Sequence, residues 1–93
     1  MELTDRVQQS SEVVAREVGG ETVLLHLTEG TYFGLNPVGG RIWSFLDGQV
    51  RTLGEVCAML VEEYEVDESE ARADVLALAS DLCANGLLDT VKG

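Results

Sequence analysis

The feature that most constrains the fold of this chain is a change in the spacing of its apolar residues at Asn36-Pro37. Over residues 11–35, apolar and polar residues alternate, which is the period-2 pattern of half-buried β-strands. Beyond that point, Val38, Ile42 and Phe45 recur at the three-to-four-residue spacing of an amphipathic helix. The sequence therefore predicts strands in its first part and helices in its second.

Three antiparallel strands are predicted, at about residues 12–18, 21–28 and 31–35. Gly19-Gly20 separates the first two, and paired glycines favour a tight hairpin because both can adopt positive φ. The middle strand is expected at the centre of the sheet. The strand at 31–35 is therefore expected to form an edge.

Three helices are predicted to follow the strands. Asn36 is placed to cap the first helix, with Pro37 at its first position. Thr52 and Glu55 have the spacing of a capping box at the start of the second helix. The third helix is predicted to begin at Asp67. The predicted element order is β-β-β-α-α-α.

The length of 93 residues is that of one small domain. We predict a single α+β domain at residues 11–90, in which a three-stranded antiparallel sheet precedes a three-helix bundle, arranged like a winged helix-turn-helix. Residues 1–10 are polar and aperiodic, and we expect them to form a flexible N-terminus.

The charge of the chain excludes several classes of partner. There are 17 acidic residues against 6 basic ones, a net charge of −11, and eleven of the acids lie at residues 47–89. Nucleic acids and anionic membranes are bound through cations that neutralise phosphates, so neither is a plausible partner. The same charge argues against a winged-helix transcription factor, whose third helix would enter the major groove. With no signal-peptide pattern, a cytoplasmic location is expected.

Few residues in the sequence could carry catalysis or bind a metal. His26 is the only histidine, and we expect it to be a surface or half-buried strand residue. Cys57 and Cys83 are expected to be reduced and to pack as small apolar residues. They form no CxxC motif, and a zinc site needs about four ligands. We therefore predict no enzymatic activity, no metal and no cofactor.

The predicted edge strand at 31–35 is the most informative binding feature. An unpaired edge can bind an extended peptide through main-chain hydrogen bonds, with pockets for alternate side chains. The same edge would allow weak homodimerisation. The residues alone leave two alternatives open, a peptide-binding module and a generic protein-interaction module.

The segment 32–48 resembles the PqqD-like family. The resemblance rests on Leu-Asn at 35–36, Ile-Trp at 42–43 and Leu-Asp-Gly at 46–48, and it extends over about residues 12–89. It implies a winged-helix-like fold with three strands ahead of three helices. It also implies a recognition element in the biosynthesis of ribosomally synthesised and post-translationally modified peptides (RiPPs). Such elements bind the leader segment of a precursor peptide and present it to a modifying enzyme or a leader protease.

The resemblance also implies where the leader peptide would bind. It would add as an antiparallel strand beside residues 31–35, in a groove against the third helix. The implied peptide-binding residues are Thr31, Tyr32, Phe33, Gly34 and Leu35 on the strand, and Leu76, Ala79, Ser80 and Cys83 on the helix. A more polar helix face, at Asp74, Ala77 and Asp81, is the alternative wall and would suit a leader with basic groups. We favour a lasso-peptide system with a separate leader protease over one with a radical-SAM enzyme.

Overall fold

The computed structural model describes residues 1–92, which form six strands and three helices. In chain order these are β1 (Arg6–Gln9), β2 (Val13–Val18), β3 (Glu21–His26), β4 (Tyr32–Leu35), α1 (Pro37–Phe45), β5 (Arg51–Thr52), α2 (Leu53–Tyr64), α3 (Glu68–Ala84) and β6 (Leu88–Val91). The strands form two antiparallel sheets, with strand orders β2-β3-β4 and β5-β1-β6. The protein is thus a small α+β fold with three helices.

The sheet β2-β3-β4 contains the three predicted strands, with β3 at its centre. Gly19 and Gly20 form the hairpin between β2 and β3, with φ of 60° and 86°. The register pairs Val13 with His26 on one side of β3 and Leu24 with Phe33 on the other. In this part of the chain the predicted strand order is correct, and β4 is an edge strand.

The second sheet was not predicted from the sequence. Residues 1–10, expected to be flexible, contain β1, which lies between β5 and β6. Val7 of β1 is fully buried, and the side chain of Gln9 donates a hydrogen bond to the Trp43 carbonyl oxygen at 2.7 Å. A four-residue strand offers too few alternations for a period to be recognised. The N-terminal segment is therefore part of the folded domain.

The predicted helix starts are confirmed. The Asn36 side chain accepts a hydrogen bond from the Gly39 N–H at 2.8 Å, at the N-terminus of α1. Thr52 and Glu55 form the complete capping box of α2. Asp67 occupies the N-cap position of α3, but its carboxylate contacts the Ser69 hydroxyl instead of a helix amide.

The core lies between the two sheets and the three helices. It is apolar, and Trp43 is buried in it. Its largest fully buried side chains are Val7, Leu24, Leu46, Leu53, Val56, Val75, Leu82 and Leu87. In the described part of the chain, no helix is long and apolar enough to cross a membrane.

Candidate functional site

The outer edge of β4 is one of the two unpaired edges of the β2-β3-β4 sheet, and the one that runs directly into α1. β4 pairs with β3 on one side, and within residues 1–92 no strand pairs with it on the other. Thr31 precedes the strand, and its carbonyl oxygen accepts a hydrogen bond from the His26 N–H at 2.9 Å. That bond sets the phase of the ladder between the two strands.

The phase determines which residues of β4 present their backbone to solvent. In an antiparallel ladder, pairs that exchange hydrogen bonds alternate with pairs that do not. Because His26 bonds to Thr31, the next bonded pair in the register is Leu24 with Phe33. Tyr32 and Gly34 fall in the alternate pairs, so their N–H and C=O groups point away from β3. These two residues form the free edge.

The side chains of β4 alternate between the two faces of the sheet. Leu35 is buried, and Phe33 is half-buried against the core. Tyr32 is 72% exposed on the opposite face. That outer face is largely apolar and is formed by Val14, Arg16, Val18, Val23, Leu25 and Tyr32. A Cβ atom at Gly34 would meet no other group within 4 Å.

A cavity of about 390 Å³ lies where β4 runs into α1, bounded on its far side by α3. Its walls are mostly apolar. They are formed by Gly34, Leu35 and Asn36, by Val38, Gly39 and Ile42 of α1, by Leu60 of α2, and by Asp74 and Leu78 of α3. The absence of a side chain at Gly39 lets α1 pack closely against the end of β4, because a Cβ there would lie 3.3 Å from the Leu35 side chain and from the Asn36 Oδ1. The free edge of β4 and this cavity together form a groove, hereafter the β4–α3 groove.

The α3 residues predicted for the groove are not the ones that the structure places there. The four predicted residues were Leu76, Ala79, Ser80 and Cys83. None of them lines the cavity. Ala79 is buried in the core, and Ser80 is exposed elsewhere on the helix. Of the alternative face, only Asp74 lines the cavity, together with Leu78, which belongs to neither predicted set.

The surroundings of Cys83 show where the α3 face favoured from the sequence lies. Burial, and then the nearby charges of Asp89 and Asp5, raise the pKa of its thiol. Cys83 thus lies beside β6 and the N-terminal segment, which the sequence prediction had treated as flexible. Leu76 is half-buried against the core. Of the predicted binding residues, the structure brings only Gly34 and Leu35 to the cavity, with Tyr32 on the adjoining free edge.

Asp74 is the charged residue among those that line this mostly apolar cavity. The ion pairs among residues 1–92 join Arg41 to Glu63, Arg51 to Glu55 and Arg72 to Glu68, so none of them involves Asp74. The Arg41 guanidinium contacts Glu63 through two nitrogens, at 2.7 and 2.8 Å, and lowers the pKa of that carboxyl. The carboxylate of Asp74 therefore remains without a cation.

The groups that could carry catalysis are dispersed. His26, expected to be at the surface or half-buried, is buried; its Nδ1 accepts a hydrogen bond from the Glu29 N–H at 3.1 Å, and its other edge lies against Gly86. Burial raises the pKa of the Cys57 thiol. Among residues 1–92, no three His, Cys, Asp or Glu side chains are grouped closely enough to hold a metal ion.

Comparison with known proteins identifies the family. The family model of coenzyme PQQ synthesis protein D (PqqD) matches residues 21–88, which include β3, β4 and all three helices. The chain belongs to the PqqD family. No curated protein matches it.

Two solved structures are similar to this PqqD-family chain over nearly all of its length. A chain of TbiB1 in complex with the TbiA(beta) leader peptide is 37% identical, with a TM-score of 0.79; the match covers 92% of this chain and 99% of that one. A chain of lasso peptide synthetase B1 complexed with the leader peptide is 30% identical, with a TM-score of 0.76; the match covers 89% and 96%. Both relatives are bound to leader peptides.

Proposed function

We propose that this protein is a non-catalytic RiPP recognition element that binds the leader segment of a lasso-peptide precursor. The observation that carries the proposal is the free edge of β4 beside an apolar cavity. An extended peptide that pairs with Tyr32 and Gly34 would bring every second side chain to the α3 side of the sheet. The leader complexes of the two similar structures support the same role.

The cavity supplies the apolar contact that strand pairing lacks. A peptide side chain that enters it would contact Leu35, Ile42 and Leu78. Burying one such side chain contributes about 1.5–3 kcal/mol. Main-chain pairing then orients the peptide, and the cavity fixes its position along β4. We propose Tyr32, Gly34, Leu35, Asp74 and Leu78 as the principal peptide-binding residues, in place of the α3 residues favoured from the sequence.

The bound leader would be presented to a second protein. The dispersed positions of His26, Cys57 and Cys83 support a role without chemistry of its own, in which the precursor is handed to a leader protease or another modifying enzyme. The β2-β3-β4 sheet beside three helices is consistent with a winged-helix-like arrangement in which the sheet serves peptide pairing. The acidic residues of α3 oppose any binding of this helix to nucleic acid.

Amide hydrogen exchange tests the proposal directly. The probe is a synthetic peptide with the leader sequence of the short precursor gene nearest to the gene for this protein. In the free protein, the N–H groups of Tyr32 and Gly34 should exchange quickly, whereas that of Phe33 should be protected by Leu24. Saturating peptide should slow exchange at Tyr32 and Gly34 and leave Phe33 unchanged.

The outcome that contradicts the proposal is equally specific. Absence of binding up to millimolar peptide, measured by isothermal titration calorimetry, would exclude a leader-binding role. Binding that protects other surfaces and leaves Tyr32 and Gly34 exchanging quickly would exclude strand addition at β4. A scrambled peptide of the same composition controls for nonspecific attraction.

A further inference from the structure

Asp74 and the apolar cavity beside it suggest which peptides this groove selects. Asp74 lies on the wall formed by α3, next to Leu78 and across from Gly34 of β4. It is exposed and has no ion-pair partner among residues 1–92. A peptide strand on β4 would cover the groove and reduce the access of water to this carboxylate. Covering an unpaired carboxylate is costly unless a cation accompanies the covering chain.

We infer that the groove is selective for a leader segment in which a lysine or arginine lies on the same face of the peptide strand as the side chain in the cavity, and pairs with Asp74. The inference rests on the proposed function. Residues on one face of a strand are separated by an even number of positions. The cation is therefore expected two residues, or another even number, from the apolar residue that fills the cavity.

The charge distribution of the protein favours this assignment. The arginines of the two helices nearest to the cavity are both engaged, Arg41 with Glu63 and Arg72 with Glu68. Within the described residues, no cationic group lines the cavity. On α3, Asp81 lies about two turns after Asp74 on the same side of the helix, outside the cavity lining, and adds a second negative charge to that side. A peptide with an acidic residue at the paired position would be repelled.

The test compares two charge reversals with equal effect on net charge. Asp74→Lys removes the proposed ion pair, and Asp89→Lys makes the same change on β6, away from the cavity. The probe is the synthetic leader peptide of the neighbouring precursor gene, with variants in which each lysine or arginine is replaced in turn by glutamate. Dissociation constants are measured by fluorescence anisotropy in 50 and 300 mM NaCl.

Asp74→Lys should weaken binding of the unmodified leader about tenfold at 50 mM NaCl, and Asp89→Lys less than threefold. One of the glutamate-substituted peptides should bind the Asp74→Lys protein more tightly than it binds the wild-type protein, because the ion pair is then restored with its charges exchanged. The advantage should shrink at 300 mM NaCl.

The inference is overturned if the leader binds the wild type and the Asp74→Lys variant equally well, or if no substituted peptide reverses the preference. Equal weakening by Asp74→Lys and Asp89→Lys also overturns it, since only net charge would then matter. Failure of the wild type to bind any leader is a different result, which rejects the proposed function itself. Circular dichroism establishes that both variants are folded.

Discussion

Gly40 of α1 lies directly against Thr22 of β3. A Cβ atom at position 40 would be 2.6 Å from the Thr22 Oγ1, a distance at which one of the two groups has to move. This contact sets how closely α1 approaches the sheet, and α1 forms one wall of the β4–α3 groove. The group that approaches Gly40 is a side chain, not the backbone of the strand.

We expect the effect of Gly40→Ala on stability to depend on residue 22. In the wild type, the added methyl group overpacks against Thr22, which typically costs 1–3 kcal/mol and outweighs the roughly 1 kcal/mol that alanine gains over glycine in a helix. In a Thr22→Ala background the crowding is absent, so the same change should stabilise the protein. Urea unfolding of the four proteins measures both effects. Equal effects in the two backgrounds would show that the contact is unimportant.

Gly34→Pro should abolish most leader binding and leave the fold intact. The substitution removes an N–H that points out of the sheet, so no bond to β3 is lost, and proline is tolerated on such edges. The lost donor and the bulk of the ring in the path of the peptide should raise Kd about tenfold or more.

Gly34→Ala is the matched control for this change. It keeps the N–H, and its methyl group would enter open space. Its Kd should therefore stay within about twofold of the wild type, a change smaller than one hydrogen bond contributes. If alanine weakens binding as much as proline does, the peptide contacts position 34 in some other way than through its backbone.

Val7→Ala tests whether the N-terminal segment is part of the core. Val7 is fully buried at the centre of the β5-β1-β6 sheet. Removal of two buried methyl groups should lower the free energy of unfolding by about 2 kcal/mol. Gln8→Ala, on the exposed side of the same strand, should change it by less than about 0.5 kcal/mol. A flexible N-terminus would make both substitutions neutral.

Glu55 gives the capping box of α2 a pH dependence. Its carboxylate accepts a hydrogen bond from the Thr52 N–H at 2.8 Å, and this bond lowers the pKa of Glu55 from its ordinary value of 4.5. Because the pKa is lower in the folded state, the stabilisation is fully present above about pH 4.5 and is lost as pH falls through the folded-state pKa.

Glu55→Gln provides the comparison for this titration. Glutamine can still accept the bond from Thr52 but does not ionise. The stability advantage of the wild type over Glu55→Gln should therefore shrink as pH is lowered from 6 to 3. NMR titration of the Glu55 carboxyl carbon checks the sign independently: a pKa at or above 4.5 would contradict the predicted shift.

Much of this fold was predictable because its signals are local. The caps at Asn36 and Thr52 depend on residues within three positions, and the Gly19-Gly20 hairpin joins neighbouring strands. β1 was not predictable in this way, because its partners β5 and β6 lie far along the chain. Such pairing leaves no periodic trace in a four-residue segment.

The candidate site was predicted only in part, for a related reason. The position of β4 at the edge of the sheet was predictable from the chain order of three consecutive antiparallel strands, and from the family resemblance. The groove-facing side of α3 did not, because this helix has apolar residues on several sides: Leu76 packs against the core and Leu78 lines the cavity. The spacing of apolar residues shows that one side of such a helix is buried. It does not show which neighbouring element covers each of the remaining apolar sides. Nor does it reveal the ladder phase that turns Gly34 outward.

The short free edge of β4 has a consequence for the diversity of the products. Tyr32 and Gly34 each offer one donor and one acceptor, so pairing supplies at most four main-chain bonds. At about 0.5–1.5 kcal/mol each, these contribute roughly 2–6 kcal/mol, less than the 8 kcal/mol of micromolar binding. The remaining few kcal/mol correspond to about one or two buried side chains at roughly 1.5–3 kcal/mol each. Few peptide positions are therefore recognised through their side chains, and the rest of a precursor can vary without loss of recognition. One such protein can thus bind a whole set of precursors that share a short recognition segment in the leader and differ in the sequence that becomes the final product.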